Sequence, residues 1–323
     1  MPDTPPSVTL DDIHDAASRM AQHVHRTPVM SSRLVDEWLG CRAVFKCENL
    51  QRTGAFKFRG ACNAVMSLTD AEATRGVVTH SSGNHGAALA EAARLRDIPA
   101  YVVMPSNAPS VKRQAVEGYG GRVTECAPTL EAREQTAARV IEETGATLIH
   151  PFDDLRIIAG QATAVVELCE EARQLDAIVC PVGGGGLASG TALATHFLSP
   201  DTEVLLGEPE AVDDACQSLM QGRLIPVGNT PTIADGLKTS LGEHTYPIIR
   251  DYVSRIVTVS DDEIIEAMRF IWTRMKLIIE PSSAVAVAAV RKDRDRLSSQ
   301  QVGIIISGGN VDLDHLPWIK RPI

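Results

Sequence analysis

One lysine of this 323-residue chain stands between two phenylalanines, in the stretch QRTGAFKFRG (51–60). Apolar surroundings remove water from an ammonium group, and this desolvation lowers the lysine pKa toward the physiological range. A lysine with such a pKa is a nucleophile and a general base. Lys57 is therefore a candidate catalytic residue, and the neighbouring Phe56 is placed to lie against an aromatic ring.

Four consecutive glycines, Gly183 to Gly186, follow an apolar run and precede a predicted helix in PVGGGGLASG (181–190). A backbone without Cβ atoms can approach an anion closely, and the N–H groups at a helix N-terminus favour negative charge. The loop therefore predicts a phosphate site. An alternative is a loose dinucleotide fingerprint, Gly-x-Gly-x-x-Ala at 183–188 with Glu208 about 20 residues further on, which would indicate an NAD-dependent dehydrogenase.

A phosphate site and a desolvated lysine are together what pyridoxal 5′-phosphate (PLP) needs, because the lysine forms the Schiff base and the glycines hold the phosphate. The pyridine nitrogen then needs a partner, and Ser307, at the end of the run VGIIIS, is a neutral one. A neutral pyridine stabilises a carbanion less than a protonated one does. It therefore favours elimination, in which a β-leaving group carries the electrons away, over transamination.

The elements that must position these residues alternate between apolar runs and helical segments. The predicted strands are AVFKCE, GVVTH, PAYVVMP, GRVTEC, TLIHPF, AIVCPVG, EVLLGE, RIVTVS and VGIIIS. Helical patterns follow several of them, as in HGAALAEAARLR and TLEAREQTAARVIEETG. Strands that alternate with helices are typical of parallel sheets covered on both faces. The pattern leaves two arrangements open, one barrel or two open sheets.

The composition excludes several function classes. The net charge is −10, which argues against a general nucleic-acid binder, since such a protein needs a basic face. No apolar run reaches the length of about 20 residues that a membrane-spanning helix needs. The N-terminus MPDTPPSVTLDD lacks the features of a secretory signal, and the seven cysteines form no Cys-x-x-Cys pair. We therefore expect a cytoplasmic protein with no membrane or nucleic-acid partner.

Six motifs resemble, in their order along the chain, one family of PLP enzymes: FKCENLQRTGAFKFRGACNAV, THSSGNHG, CPVGGGG, TIADGLK, IIEPSSA and SGGNVDL. The resemblance is to the serine racemase and serine/threonine dehydratase family of fold type II, including bacterial 3-hydroxyaspartate dehydratases, and extends from about Ile13 to Asp312. It implies an α/β fold like the tryptophan synthase β subunit, with two open, twisted, mostly parallel sheets flanked by helices. It also implies a large PLP-binding domain of residues 1–75 and 154–323, a small mobile domain of residues 76–153, and a homodimer.

The resemblance assigns the cofactor-binding residues. Lys57 matches the Schiff-base lysine, Phe56 the residue that stacks on the ring, and Asn84 the partner of the phenolic oxygen. Ser307 matches the partner of the pyridine nitrogen. The residues that match the phosphate cup are Gly183, Gly184, Gly185, Gly186 and Leu187.

The resemblance also implies a substrate site. The loop that holds the substrate carboxylate matches Ser81, Ser82, Gly83, Asn84 and His85. Ser82 further matches a base on the cofactor face opposite Lys57, at a position that is typically alanine in dedicated threonine deaminases. Arg133 matches a residue at the mouth of the site and is a candidate to bind a β-carboxylate.

A cation site is implied as well. Glu208, Val212 and Asp214 match a site in the racemase-like branch of the family that holds Mg²⁺ (or Ca²⁺ or Mn²⁺). Two carboxylates and a backbone carbonyl, completed by waters, form an oxygen site suited to such a hard cation.

These residues lead to a hypothesis about the reaction. The protein is expected to be a PLP-dependent ammonia-lyase that converts a β-hydroxy amino acid, with 3-hydroxyaspartate favoured, to a 2-oxo acid (oxaloacetate) and ammonia. Ala55, in place of the serine common in serine racemases, favours this substrate. The alternative within the family is a serine racemase or a dehydratase of L-serine or L-threonine, and racemisation is expected as a side activity.

Overall fold

The computed structural model describes residues 8–81, 83–172, 174–228 and 230–319. Over these residues the chain forms strands and α-helices in alternating order. The strands are β1 Val29–Ser31, β2 Arg42–Cys47, β3 Val77–His80, β4 Ala100–Pro105, β5 Arg122–Cys126, β6 Thr147–Leu148, β7 Ala177–Pro181, β8 Glu203–Pro209, β9 Arg255–Val259 and β10 Gln301–Ile306. The helices are α1 Leu10–Met20, α2 Arg33–Leu39, α3 Lys57–Met66, α4 Asp70–Arg75, α5 Asn84–Leu95, α6 Ser110–Gly118, α7 Leu130–Thr144, α8 Leu155–Glu171, α9 Gly186–Leu198, α10 Asp214–Gln221, α11 Thr245–Tyr252, α12 Asp261–Met275 and α13 Pro281–Lys292.

The larger sheet has six strands in the order β1-β2-β10-β7-β8-β9. β1 pairs antiparallel with β2, and the other neighbours in this sheet pair in parallel. β1 is an edge strand that the sequence pattern did not predict, because three residues are too few to show the alternation of a strand.

The smaller sheet has four strands, β5-β4-β3-β6, and all its pairs are parallel. Two open, mostly parallel sheets flanked by helices confirm the predicted fold class and exclude the barrel. β6 is shorter than the run TLIHPF predicted. The amides of Phe152 and Asp153 donate to Nδ1 of His150 at 3.4 Å and 2.9 Å, and Pro151, which directly follows His150, has no N–H, so this segment turns away from the sheet.

The strands of the smaller sheet all lie between residues 77 and 148, inside the interval 76–153. This placement is compatible with the predicted small domain, and the division into two domains remains a prediction. None of the described helices is long and apolar enough to cross a membrane.

Close helix packing positions α3, whose first residue is Lys57. A Cβ on Gly60 of α3 would come within 2.7 Å of the Gln161 side chain, and one on Gly160 of α8 within 2.6 Å of the Gly60 backbone. Only residues without side chains allow the two helices to approach this closely. The sequence thus fixes the distance between the lysine-bearing helix and α8.

A buried ionic network joins the same helix to the segment after β2 and, a second time, to α8. The Arg59 guanidinium donates two hydrogen bonds to Glu48 (2.7 Å and 2.8 Å) and two to Glu167 (2.7 Å and 2.8 Å). The Lys46 ammonium donates to Glu167 and to the Thr27 carbonyl, each at 2.6 Å. Two cations and two carboxylates balance, and each guanidinium fork is bidentate, which is the geometry that stabilises a buried ion pair.

Candidate active site

Lys57 lies directly beside the carboxyl end of β10. The Phe56 amide donates to the Ser307 carbonyl at 2.9 Å, and Ala55 forms an isolated β-bridge with Gly308. The carboxyl ends of parallel strands are where open α/β sheets bind ligands. The segment before α3 is therefore fixed to the strand end that carries Ser307.

The amine of Lys57 is enclosed, as the two flanking phenylalanines predicted. Its Nζ donates to the Pro151 carbonyl at 2.7 Å and lies 5.2 Å from the centre of the Phe56 ring. Burial lowers the pKa of Lys57 to about 8, and the nearby Glu280 carboxylate opposes this shift. The neutral form is therefore a minority near physiological pH but far more abundant than for an ordinary lysine, and this form can act as a nucleophile or a general base.

The glycine loop leads from β7 into α9 and is shaped by its missing side chains. A Cβ on Gly183 would come within 2.8 Å of Leu237, and one on Gly184 would overlap the Phe152 ring. Gly185, the N-cap of α9, has a φ of +89°, which favours glycine. Within the described part of the chain, the amides of Gly184 to Leu187 donate to no protein acceptor. These free N–H groups at a helix N-terminus fit a phosphate.

The lysine and the glycine loop belong to one site. Phe152, whose ring fills the space beside Gly184, directly follows Pro151, whose carbonyl accepts the Lys57 hydrogen bond. Thr245 of α11 holds the loop through a 2.9 Å hydrogen bond to the Gly184 carbonyl. A reactive amine and a phosphate cup thus face the same segment, 151–152, and this arrangement fits PLP.

Asn84 and Ser307, the residues predicted to bind the PLP ring, lie in one polar region. Ser307 is buried. Asn84 is the first residue of α5, and its Nδ2 donates to Glu280 at 2.9 Å while its Oδ1 accepts from Asn310 at 2.9 Å. Glu280 in turn bonds through its amide to the carbonyl of Gly308 at 3.0 Å, next to Ser307. One connected set of contacts therefore links the two predicted ring partners.

The predicted substrate loop follows β3 and includes the first two residues of α5. Ser81 accepts a hydrogen bond from the Gly83 amide at 3.3 Å, whereas Ser82 lies outside the described residues. Among the described residues, the amides of Asn84 and His85 donate to no acceptor, so they are available to a carboxylate.

His85 is buried beneath this loop. Its Nε2 lies 3.4 Å from the Ile149 carbonyl, and burial together with Lys57 lowers its pKa well below the ordinary value. The imidazole is therefore neutral. The group of His85 that can donate a hydrogen bond to an anion is its backbone N–H.

The charge of Arg133 on α7 acts on the ends of two strands of the smaller sheet. Burial and, after it, the Arg133 guanidinium lower the pKa of His80, the last residue of β3, and the same guanidinium opposes the rise that burial causes in the pKa of Cys126 at the end of β5. No ion pair within the described residues engages Arg133, whereas Arg139 on the same helix lies 4.0 Å from Glu143. A half-buried cation thus acts electrostatically on the strand end that leads into the predicted substrate loop.

The predicted cation site contains buried carboxylate oxygens that a metal ion could bind. Glu208 is buried, and its carboxylate accepts from the amides of Ala215 and Cys216 at 2.7 Å and 2.9 Å. Oδ2 of Asp214 is buried without a partner, and burial raises the pKa of Glu208 to about 8 and that of Asp214 to about 7. The described residues hold no cluster of three or more His, Cys, Asp or Glu side chains, so the site depends on the Val212 carbonyl as well. Its oxygen donors fit a hard cation.

Sequence patterns missed several residues of this region. Pro151, Glu280 and Asn310 act through contacts with residues 94, 196 and 226 positions away, at Lys57 and Asn84. Glu280 lies in the motif IIEPSSA and Asn310 in SGGNVDL, two motifs of the family resemblance that assigns no role to either side chain.

Comparison with known proteins agrees with this geometry. A family model described as "Pyridoxal-phosphate dependent enzyme" matches residues 20–308. The chain is 50% identical over 317 residues to a serine racemase of Dictyostelium discoideum, covering 97% of this chain and 98% of that protein. It is 48% identical over 310 residues to a beta-hydroxyaspartate dehydratase of Paracoccus denitrificans, covering 96% of this chain and 98% of that protein. The crystal structure of the Dictyostelium serine racemase has a TM-score of 0.91 to this chain at 51% identity, over 95% of this chain and 99% of that chain.

Proposed function

The chain belongs to the family of pyridoxal-phosphate dependent enzymes of fold type II, and we propose that it is an ammonia-lyase for β-hydroxy amino acids that favours 3-hydroxyaspartate. The net reaction converts 3-hydroxyaspartate to oxaloacetate and ammonia. Family membership favours PLP over NAD as the ligand of the glycine loop. Similar identity to a hydroxyaspartate dehydratase and to a serine racemase supports the reaction class. This similarity does not distinguish between the substrates, so the choice of substrate rests on the residues of the site.

One observation carries the choice of a substrate with two carboxylates. The charge of Arg133 acts on His80, which immediately precedes the loop proposed to hold the α-carboxylate, and no described carboxylate forms an ion pair with Arg133. The amides of Asn84 and His85 provide donors for one carboxylate. The guanidinium provides a bidentate partner for a second one. Serine and threonine have no group that would use this second partner.

The protein residues divide the work of elimination. PLP, when bound, supplies a ring that withdraws electrons and makes the Cα proton of the substrate acidic. The free amine of Lys57 takes this proton, which its pKa of about 8 permits near neutral pH. The glycine loop would hold the phosphate and Ser307 the pyridine nitrogen, so that the cofactor ring stays in place. The β-hydroxyl leaves with the electrons of the broken C–H bond. Addition of water then yields the 2-oxo acid and ammonia.

Racemisation uses the same site with a different final step. Ser82 is proposed as the proton donor and acceptor on the face opposite Lys57, as the family pattern implies. If the proton returns from this second face before the hydroxyl leaves, the amino acid is inverted. The identity to a serine racemase supports this as a side activity, or as the main activity on serine in the alternative function.

A divalent cation is proposed to stabilise the large domain. Glu208, Asp214 and the Val212 carbonyl would bind Mg²⁺, Ca²⁺ or Mn²⁺, away from the reacting atoms. We also propose a homodimer, by resemblance to the family, and a cytoplasmic location, with which seven free cysteines are compatible.

A product balance tests the reaction class. The PLP-loaded protein would be incubated with each stereoisomer of 3-hydroxyaspartate and with both enantiomers of serine and of threonine. Ammonia, 2-oxo acid and inverted amino acid would be measured together in every sample. Equal amounts of oxaloacetate and ammonia from a hydroxyaspartate isomer support the lyase. Inverted amino acid as the dominant product from every substrate would establish a racemase instead.

A further inference from the structure

We propose that Glu280 is a positioning residue, which orients the Asn84 side chain so that an amide N–H points at the phenolic oxygen of PLP. The inference rests on the proposed function, because it takes PLP as the ligand and Asn84 as the partner of that oxygen. It goes further in assigning a role to a carboxyl group that makes no proposed contact with cofactor or substrate.

The side chain of Glu280 does not cap the helix that it precedes. Glu280 is the N-cap residue of α13, yet its carboxylate makes no capping hydrogen bond to that helix. It accepts instead from Nδ2 of Asn84, at the start of α5, at 2.9 Å. A buried carboxyl group is costly to desolvate, and burial raises the pKa of Glu280 to about 7. The fold therefore retains the buried Glu280 carboxyl group despite its desolvation cost, and this group contacts Asn84 across the site.

The hydrogen-bond network fixes which end of the Asn84 amide faces which way. Asn310 Nδ2 donates to the Thr53 carbonyl at 2.7 Å, and because a carbonyl can only accept, this atom of Asn310 must be the nitrogen. The same Nδ2 also donates to Oδ1 of Asn84 at 2.9 Å. The Asn84 oxygen is thus an acceptor, and its NH₂ group must face Glu280. That group has two hydrogens, and Glu280 uses one of them. The second N–H is left for the phenolic oxygen.

The backbone makes room for this arrangement beside Ser307. A Cβ on Gly308 would come within 2.6 Å of Oε1 of Glu280, so the residue after Ser307 must be small for the carboxylate to occupy this place. The Glu280 amide also donates to the Gly308 carbonyl at 3.0 Å. Glu280 is therefore tied to the strand end that carries the proposed partner of the pyridine nitrogen and to the helix that carries the proposed partner of the phenolic oxygen.

The absorption spectrum of the PLP-loaded protein tests this inference. A hydrogen bond to the phenolic oxygen favours the ionised form, which absorbs visible light, over the neutral form, which absorbs in the near ultraviolet. Glu280→Ala removes the acceptor, and we expect it to lower the ratio of visible to near-ultraviolet absorbance by about 2- to 10-fold, as the loss of one hydrogen bond predicts. Asn84→Ala should do the same. Glu280→Gln keeps an acceptor oxygen and should stay near the wild-type ratio, as should the exposed control Glu142→Gln.

The outcomes separate this inference from the proposed function. If Asn84→Ala lowers the ratio and folded Glu280→Ala does not, the positioning role is wrong and the proposed function stands. A Glu280→Gln ratio as low as that of Asn84→Ala also overturns positioning, because charge and not geometry would then matter. An unchanged ratio in Asn84→Ala overturns the inference at its premise, and the absence of a visible band in wild-type protein with PLP overturns the proposed function. If Glu280→Ala does not fold, Asn310→Ala replaces it, since it frees the other end of the Asn84 amide and should shift the ratio in the same direction.

Discussion

Lys57 combines a reactive group with an environment that the chain builds from distant residues. The flanking phenylalanines were visible in the sequence, whereas the Pro151 carbonyl that accepts from Nζ comes from 94 residues away. The consequence of this enclosure is a pKa of about 8. The same fold that positions the amine therefore also sets the pH at which it reacts.

The depressed pKa predicts how the cofactor-free protein reacts with PLP. Attack on the PLP aldehyde requires the neutral amine, so the rate should rise with pH and level off above about 8. An ordinary lysine, with a pKa of about 10.4, would level off more than two pH units higher. The growth of visible absorbance after mixing, followed across this pH range, measures the midpoint. A midpoint near 10 would contradict the enclosed amine, and Lys57→Ala should give no specific band.

Arg133 is predicted to act on one class of substrate. Replacing it by methionine removes the guanidinium that would bind a β-carboxylate, so KM for 3-hydroxyaspartate should rise about 10- to 100-fold, as the loss of a charged hydrogen bond predicts. The KM for serine should stay within about 2-fold. Arg139→Met, on the exposed face of the same helix, is the matched control. Equal losses on both substrates would mean that Arg133 supports the fold and does not select the substrate.

Local pattern predicted the residues whose chemistry is local. For a lysine between aromatic residues and for four glycines before a helix, the neighbouring residues in the sequence are enough to predict the role. For Glu280 and Asn310 they are not, because their roles depend on a hydrogen-bond network assembled from four chain segments. Arg133 lies between these cases, since resemblance pointed to it and the fold brings it to the end of β3.

At the scale of elements, α3 is held both by close helix packing and by a buried ionic network. Gly60 packs against α8, and Arg59 binds Glu48 after β2 and Glu167 on α8. Because Lys57 is the first residue of this helix, each contact also fixes the base of the reactive side chain. The sequence pattern did not predict the ionic network, because the four charged residues are spread over more than 120 positions.

The Arg59 network makes a prediction about stability. Arg59→Met leaves Glu48 buried without its cation, and breaking a buried pair in this way costs about 3–5 kcal/mol in the free energy of unfolding. Arg26→Met removes a cation that pairs with Glu170 and Glu171 on the exposed end of α8, and should cost no more than about 1 kcal/mol. Urea unfolding measures both variants. Equal costs would mean that the buried network adds nothing beyond an ordinary surface pair.

At the scale of the whole molecule, two parallel sheets present their strand ends to one site. The smaller sheet supplies the substrate loop and the larger sheet supplies the glycine loop and Ser307. Polar contacts connect the two parts, such as Asn84 with Glu280 and Lys112 with Asp235, and α3 packs against α5 in a shared hydrophobic core. The alternation of strands and helices predicted parallel sheets, but resemblance was needed to choose two sheets over a barrel, since both arrangements satisfy the same local periodicity.

The proposed cation site predicts a change in the stability of the molecule as a whole. A cation that binds only the folded state stabilises it by about 2.7 kcal/mol at 100 times its Kd. The Tm of wild-type protein should therefore be several degrees higher in Mg²⁺ than in a chelator. This difference should disappear in Asp214→Asn and persist in Asp201→Asn, where the carboxylate is exposed. No difference in the wild type, with Mg²⁺, Ca²⁺ or Mn²⁺, would contradict the site.

Substrate preference tests the central claim most directly. We would measure kcat/KM for each stereoisomer of 3-hydroxyaspartate and for L-serine with one preparation of PLP-loaded protein, using release of ammonia as the common readout. A β-carboxylate bound by Arg133 predicts that one hydroxyaspartate isomer exceeds L-serine by at least about 10-fold, as the gain of one charged hydrogen bond requires. A higher kcat/KM for L-serine than for every hydroxyaspartate isomer would contradict the account and favour a serine dehydratase or racemase.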